Sequence, residues 1–504
     1  MNITTSWTSG IRGNLLALIA GGLFPLGSAP LNIWPLTLLS VALLIPLLKG
    51  QTSGRSFWRG WLYGFGFYAV GVSWVYVSIN TYGYTPQWLS IILTGLFAGG
   101  LALFFALFTW SYQKLALERW YWLAFPSWWV LFEWVKSWLL SGFPWLYAGN
   151  AFIDTPLAGL APITGVLGIS WVVALTAALG VYWLQRAAKR RQTLALIVII
   201  WAASYGLQTI TWVSPAMKNA LDIAIVQGNI PQEKKWDPKE RDNILATYTH
   251  NTEANWDRDL IIWPEAALPV FYQEAREFMG RMQLKASDTN TALITGTPYW
   301  QAGATEYEYF NSIVAIGNGS GLYHKQRLVP FGEYVPLESA IRGLIPFFDL
   351  PMSSFTPGSD QQKPLVAAGA TFAPFICYEI VYPEQVRIMG KYADYLITIS
   401  NDAWFGRSWG PHQHFQIARI RALELGKFLV RGTNTGITAI IDHRGQVLSV
   451  IPRFEEGVLK ATIYTTEGST PYRLLGWWPI LGLSLLIILI TQIRRRFVKD
   501  GVNG

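Results

Sequence analysis

Apolar residues are spread unevenly along this chain. Stretches almost free of charge fill roughly the first 215 positions and return near the C-terminus, whereas charged residues concentrate between about Lys218 and Arg473. A helix needs about 20 predominantly apolar residues to cross a bilayer. Windows near that length predict eight spans, at about 11–28, 31–48, 57–79, 88–112, 120–140, 159–185, 193–212 and 474–493. The first two are interrupted by Pro25 and Pro30.

Lys and Arg placement orients these spans, because basic residues crowd the cytoplasmic connections of membrane helices. Lys49, Arg55 and Arg59 follow the second span, Lys114 and Arg119 the fourth, Arg186, Lys189, Arg190 and Arg191 the sixth, and Arg494, Arg495, Arg496 and Lys499 the eighth. The connections 80–87 and 141–158 contain neither residue type. Both termini are therefore expected in the cytoplasm, with the segment between the seventh and eighth spans on the outer side. Three regions follow: a membrane domain over 1–214, an extracytoplasmic domain over 215–472, and a last span with a basic tail over 473–504.

From Leu221 the period changes. Short β-rich runs such as Ile223–Val226, Leu260–Trp263 and Ala292–Thr295 alternate with amphipathic segments, which predicts an α/β domain. Helices are expected over Pro238–Ala254, Phe271–Ser287, Pro383–Tyr392 and Pro411–Leu425, three of them opened by a proline suited to a first helical turn. Further strands are expected over Ser312–Ile316, Thr371–Ile376, Tyr395–Ser400, Phe428–Gly432 and Thr438–Asp442, with hairpin turns at Asn318–Gly321 and Asp442–Gly445. Several strands are apolar throughout, as in a sheet buried on both faces.

Composition agrees with a membrane class, at 51% apolar and 14% charged residues. The net charge of +8 falls in clusters beside apolar runs rather than on an aromatic-interleaved face, so it reads as topology and not as nucleic-acid binding. Only one cysteine is present, Cys377, which excludes any intramolecular disulfide.

Three polar residues stand where strands end, the usual place for reactive groups in open α/β sheets. Glu265 closes Trp263-Pro264-Glu265 and could act as a general base if desolvated. Lys325 lies in Tyr323-His324-Lys325-Gln326-Arg327 and could stabilise an oxyanion. Cys377 follows the run Thr371–Ile376 shortly before Pro383, a strand–nucleophile–helix order in which helix amides favour the thiolate. Each alone has a plainer reading: a turn carboxylate, a surface lysine, a buried thiol.

Together, in the order Glu265, Lys325, Cys377, they resemble the Glu-Lys-Cys triad of the nitrilase superfamily over about Leu221–Thr465. Within it the chain is most similar to the membrane-embedded apolipoprotein N-acyltransferases. The likeness extends to Gly142-Phe143-Pro144-Trp145, Pro330–Pro336, Ser400–Gly406, His412–Gly426, Arg431–Gly436 and Ile440–His443.

That resemblance implies a membrane α-helical bundle carrying an inserted α/β domain, a nitrilase-like αββα sandwich. It implies two-step acyl transfer from a phospholipid donor such as phosphatidylethanolamine, through a Cys377 thioester, to the α-amine of a diacylglyceryl apolipoprotein. By the same likeness Glu265 moves the proton, Lys325 and the Tyr378 amide hold the oxyanion, Glu333, Tyr378 and Glu379 line or brace the site, and Trp236 belongs to a loop at its mouth. No metal or organic cofactor is required, and a monomer in the bacterial inner membrane with a periplasmic catalytic domain is expected. The apolar excursion Gly343–Met352 reads as a lid or as a loop packed on its own domain.

Two other classes stay open at this level. A membrane-tethered amidase would use the same triad with water as acceptor, although one helix suffices for a tether. A transporter would place ionisable groups inside spans, where Glu133 and Lys136 are the main candidates. His412 and His414 lack a carboxylate partner pattern for a metal and read as lining a helix start.

Overall fold

The computed structural model describes residues 7–115, 120–303, 306–336 and 354–500. The excursion Gly343–Met352 lies outside the described residues. The chain divides into two compact units, Met1–Tyr76 with Trp88–Thr211 and Leu474–Gly504, and Val77–Gln87 with Trp212–Arg473. The short segment Val77–Gln87, which the apolar pattern assigned to a span and its connection, thus groups with the second unit.

The first unit is helical: α1 (Gly10–Leu23), α2 (Trp34–Leu48), α3 (Ser53–Gly71), α4 (Gln87–Leu115), α5 (Tyr121–Lys136), α6 (Ala161–Gln185), α7 (Arg190–Leu207) and the C-terminal helix Trp478–Asp500. By length and composition, Gly10–Gly27, Gln87–Leu115 and Pro156–Gln185 can each cross a membrane. Ser53–Gly71 with Trp74–Tyr82 makes a fourth if that pair, bent by 55°, is one span. The expected eight is not reached on this measure. Trp34–Leu48 and Trp478–Arg494 are apolar but shorter than a full crossing. Helix α5 spans 16 residues, contains Pro126 and ends on Glu133 and Lys136, while α7 opens on Arg190 and Arg191.

Small residues let these helices approach closely. A Cβ at Gly66 of α3 would strike the carbonyl of Leu18 in α1, and one at Gly64 would lie 2.8 Å from Ala102 Cα in α4. Glu133 and Lys136 are buried and both bind the segment that follows α5: Glu133 Oε1 accepts from the Ala148 amide at 2.8 Å, and Lys136 Nζ donates to Trp145 O at 2.8 Å. Their charges thus fix the turn that carries Gly142-Phe143-Pro144-Trp145.

The second unit holds twelve strands among its described residues: β1 (Val213–Gln227), β2 (Leu260–Ile262), β3 (Ala292–Ala302), β4 (Tyr307–Gly317), β5 (Gly319–His324), β6 (Leu365–Ala367), β7 (Ala370–Ile376), β8 (Tyr395–Ser400), β9 (Leu429–Thr433), β10 (Thr438–Ile441), β11 (Val447–Ile451) and β12 (Gly457–Gly468). Their order is β11-β10-β9-β8-β7-β6-β5-β4-β3-β2-β1-β12. Its two halves each contain a parallel core, β1-β2-β3 in one and β7-β8-β9 in the other.

Alternation explains why these strands read as apolar throughout. Ile223, Ile225, Leu260 and Ile262 point into one cluster, shared with Phe372, Ile376, Ile397, Ile399 and Val430 of the other half. Their neighbours Ala224, Val226, Ile261 and Trp263 point the opposite way, into a second cluster with helices α8 (Arg241–Glu253) and α9 (Arg276–Asp288). The other half is covered by α10 (Pro383–Gly390), which packs on β7, and α11 (Gly410–Leu425), which packs on β9. The result is the layered αββα arrangement expected, with the inner cluster as its main stabilising layer at about 1.5–3 kcal/mol per buried aliphatic side chain.

Pro383 and Pro411 occupy the first turns of their helices, but Pro238 precedes its helix, which begins at Arg241. Strand β11 is the return strand that the hairpin turn at Asp442–Gly445 implies. Strands β6 and β12 lie outside the expected set: β6 is only three residues long, and β12 mixes exposed, half-buried and buried positions with polar residues.

Candidate active site

The ends of β2, β5 and β7 present Glu265, Lys325 and Cys377. After β2 the chain turns sharply, and Ala266 takes a left-handed φ of 47°. Gly296 of β3 makes room for this turn, since a Cβ there would stand 2.6 Å from Pro264 O and 2.7 Å from Glu265 Cα. Glu265 is buried, with Oε1 accepting from Asn311 Nδ2 at 2.7 Å and Oε2 from the Asn401 amide at 2.6 Å.

Lys325 is 1% exposed and lies between two carboxylates. Its Nζ donates to Glu333 Oε1 at 2.7 Å and stands 3.9 Å from Glu265 Oε1. Asn311 joins the group: its side chain also donates to Glu333 Oε1 at 3.0 Å, and its carbonyl accepts from the Lys325 amide at 2.8 Å. The second oxygen of Glu333 accepts from the Val329 amide at 2.8 Å, which fixes the turn that supplies it.

Cys377 has a φ of 50° and opens a short 3-10 turn, Cys377–Val381. Left-handed backbone is costly for a residue with a Cβ, and such strain persists only where surrounding bonds enforce it. Glu379 supplies part of that enforcement. Its Oε2 accepts from the Ile376 amide at 2.7 Å, and its Oε1 from Gln326 N at 2.7 Å and Tyr323 Oη at 2.9 Å. It therefore binds the end of β7 to the end of β5.

Burial pushes the Glu265 carboxyl above the usual carboxylate range, Lys325 opposes this, and Glu333 adds to it. Burial disfavours the Lys325 ammonium, but Glu333 and Glu265 outweigh it and hold the group charged above its ordinary value. Burial and then the charge of Glu265 push the Cys377 thiol up, with Lys325 a partial counterweight. This reverses the expectation of a helix-stabilised thiolate: a short turn, not a helix, follows the cysteine. The resting pair is a thiol beside a carboxylate of raised proton affinity, which suits deprotonation by Glu265 at the moment of attack.

Residues 20–179 match the model of the apolipoprotein N-acyltransferase N-terminal domain, and residues 222–472 that of the carbon-nitrogen hydrolases. The chain is 46% identical to an apolipoprotein N-acyltransferase of Pseudomonas syringae pv. tomato, over 97% of this chain and 98% of the relative. The belongings of the chain are settled by that breadth. It belongs to the apolipoprotein N-acyltransferase family. The enzyme so named from Azotobacter vinelandii is 45% identical, over 97% of this chain and 96% of its own length. That of Vibrio cholerae is 44% identical, over 96% and 98%. A solved carbon-nitrogen hydrolase from Helicobacter pylori G27 aligns with TM-score 0.38 and 18% identity, covering 52% of this chain and 94% of that one.

In this apolipoprotein N-acyltransferase family member the other expected site residues differ in burial and contacts. Tyr378, next in sequence to Cys377, is buried with its ring edge-on to Tyr382 at 5.2 Å. Trp236 is half-buried directly after the turn Gln232–Lys235. Its neighbour Lys235, buried and pushed down to about 8 by desolvation, donates to the Glu265 carbonyl at 3.0 Å.

The sequence pattern gives no role to Asn311, Asn401, Asp402 or Arg431, and gives His414 only a place at a helix start, which it does occupy. The stretches Ser400–Gly406 and Arg431–Gly436 had been noticed, yet nothing in their composition shows that they meet. Asp402 accepts from Arg431 Nη2 at 2.8 Å and from Ser400 Oγ at 2.6 Å, and Arg431 and Asp402 are fully buried. Arg431 is what holds the Asp402 carboxyl far below its ordinary value against the opposing effect of burial. Cys377, Asp402 and His414 each offer an atom within 4.8 Å of the others. Arg431 Nη2 also lies 3.2 Å from His414 Nδ1, so a cation there would meet a fixed positive charge. The set suits a hydrogen-bond relay rather than a metal.

Proposed function

We propose that this chain moves an acyl group from a phospholipid, through a thioester on Cys377, to the α-amine of the N-terminal diacylglyceryl-cysteine of apolipoproteins. The observation that carries the reading is the family match over nearly the whole chain, and the placing of Glu265, Lys325 and the single cysteine at the ends of β2, β5 and β7 accords with it. Glu265 takes the thiol proton as sulfur attacks the ester carbonyl. Lys325 and the Tyr378 amide hold the oxyanion. Collapse expels a lysophospholipid, whose oxygen recovers the proton from Glu265. The amine then attacks the thioester, forms the amide, and returns the thiol as Glu265 relays the proton released by nitrogen.

In this reading Glu333 anchors Lys325, Glu379 braces the nucleophile turn, and Trp236 borders the entrance. Phosphatidylethanolamine is the expected donor, no cofactor takes part, and the chain acts as a monomer. The alternation of basic and charge-free connections supports eight spans in the bacterial inner membrane, cytoplasmic termini, and a periplasmic catalytic domain over 215–472 between regions 1–214 and 473–504. The match of residues 20–179 to an apolipoprotein N-acyltransferase N-terminal domain favours this over a tethered amidase.

The test is intact-mass analysis after incubation with phosphatidylethanolamine, comparing wild type with Cys377→Ser. A gain of one acyl chain, labile to hydroxylamine and confined to wild type, is the expected result. No adduct on folded wild-type protein with accessible lipid would overturn the donor half-reaction.

A further inference from the structure

Cys377 is held in its left-handed conformation from both sides of its own peptide. Glu379 secures the amide of the preceding Ile376, as described above. On the carbonyl side, His414 Nε2 lies 2.9 Å from Cys377 O. A carbonyl can only accept, so Nε2 carries a proton and donates it. His414 is 1% exposed and belongs to the first turns of α11, which places its ring under the nucleophile turn.

The other ring nitrogen is fixed as firmly. Nδ1 faces Arg431 Nη2 at 3.2 Å and Asp402 Oδ1 at 3.2 Å. Burial, with Arg431 next, lowers the proton affinity of the imidazole against the opposing pull of Asp402, which favours the neutral ring with its one proton on Nε2. Nδ1 is then an acceptor for the Arg431 guanidinium, and Arg431 in turn is anchored by Asp402 Oδ2 at 2.8 Å. Asp402 also receives the Ser400 hydroxyl at 2.6 Å. A buried assembly of Arg431, Asp402 and His414 thus grips the cysteine at its carbonyl.

We propose that His414 is a positioning residue for acyl transfer, whose Nε2–H, oriented by the Arg431–Asp402 pair, pins the Cys377 carbonyl and holds the thiol against Glu265 and Lys325. The role rests on the acyl-transfer reading for its purpose but not for its geometry. His414 touches no reacting atom. Without its donor the strained peptide relaxes, the thiol swings away from its base, and the amide of Tyr378 leaves the position where an oxyanion would form. Substrate binding is not involved, so turnover falls while the lipid KM holds.

The presence of one cysteine makes the test unambiguous, because iodoacetamide labelling of the full-length protein in detergent reads Cys377 alone. Labelling rate, single-turnover thioester formation with phosphatidylethanolamine and thermal unfolding are compared for wild type, His414→Ala, His414→Gln and His414→Asn. Gln can carry an N–H to about the Nε2 position, whereas Asn falls short. Misplacement of a reacting group by about an ångström costs on the order of a hundredfold, so Ala and Asn are expected to lose about ten- to a hundredfold in both rates, with KM within about twofold. Gln is expected to recover most of that loss. Wild-type labelling in a stably folded His414→Ala variant would overturn the proposal. So would equal rates for Gln and Asn at equal stability, a comparison that decides the matter even if His414→Ala does not fold. If wild-type protein labels at Cys377 but never forms a thioester, the acyl-transfer reading fails, and the labelling series still decides the role of His414.

Discussion

Buried charge is handled in opposite ways in the two units. In the helical unit Glu133 and Lys136 lie within one turn of each other, yet each binds the backbone of the 145–148 segment. In the sandwich unit Glu265, Glu333 and Lys325 face one another, with a half-buried thiol beside them. A charge answered by main-chain groups is settled in one arrangement, and its burial serves architecture. Charges answered by other charges, with a proton able to move between them, remain chemically adjustable. Residue type and burial alone would not separate the two cases.

The contrast is broken most severely at the proposed nucleophile: Cys377→Ala is expected to abolish thioester formation altogether, read by intact mass. Glu265→Gln keeps the side chain's shape but removes the proposed base, and single-turnover acylation should fall by about 10²–10⁴-fold. On the structural side, Asp402→Ala leaves the Arg431 guanidinium buried without its partner, and unfolding measurements should show a loss of roughly 3–5 kcal/mol. Glu133→Gln keeps one acceptor oxygen for the Ala148 amide. It should cost about 1–3 kcal/mol of stability while turnover of the folded fraction stays within about twofold. A large loss of turnover at unchanged stability would erase the distinction between the units.

The smallest effect is on pH. In the proposed reaction Glu265 must be a carboxylate to accept the thiol proton, and its affinity for a proton is raised by burial. Acylation should therefore decline on acidification at a pH above the ordinary carboxylate range, measured as single-turnover rate against pH. A decline only near the normal carboxylate value would point to a different base.

Much of this was readable beforehand. Glu265, Lys325 and Cys377 stand out at strand ends because each interrupts an apolar run with one reactive group, but it is their order, resembling a known triad, that sets them apart from a turn carboxylate, a surface lysine and a buried thiol. Period and proline place the helices of the sandwich to within a few residues at most ends, but the helix expected from Pro238 begins at Arg241 and the one expected from Phe271 begins at Arg276. Asn311 escaped notice because it lies in the middle of β4, where an asparagine reads as an ordinary polar interruption. The expected span count rests on apolar windows near 20 residues and on basic clusters. Helices such as Trp34–Leu48 and Tyr121–Lys136 are shorter than those windows, since proline, glycine and buried charge divide apolar stretches into turns as well as helices.

By itself the sequence determined the period of each segment, the order Glu265, Lys325, Cys377, and the faces that must be buried, because these depend on neighbours along the chain. Only the tertiary structure decided that Lys325 stands between Glu265 and Glu333, and that His414 reaches under Cys377 from 37 residues away. Such pairings depend on strand register and on how helices close over a sheet. Those are fixed by packing across the whole domain, which no local window of residues records.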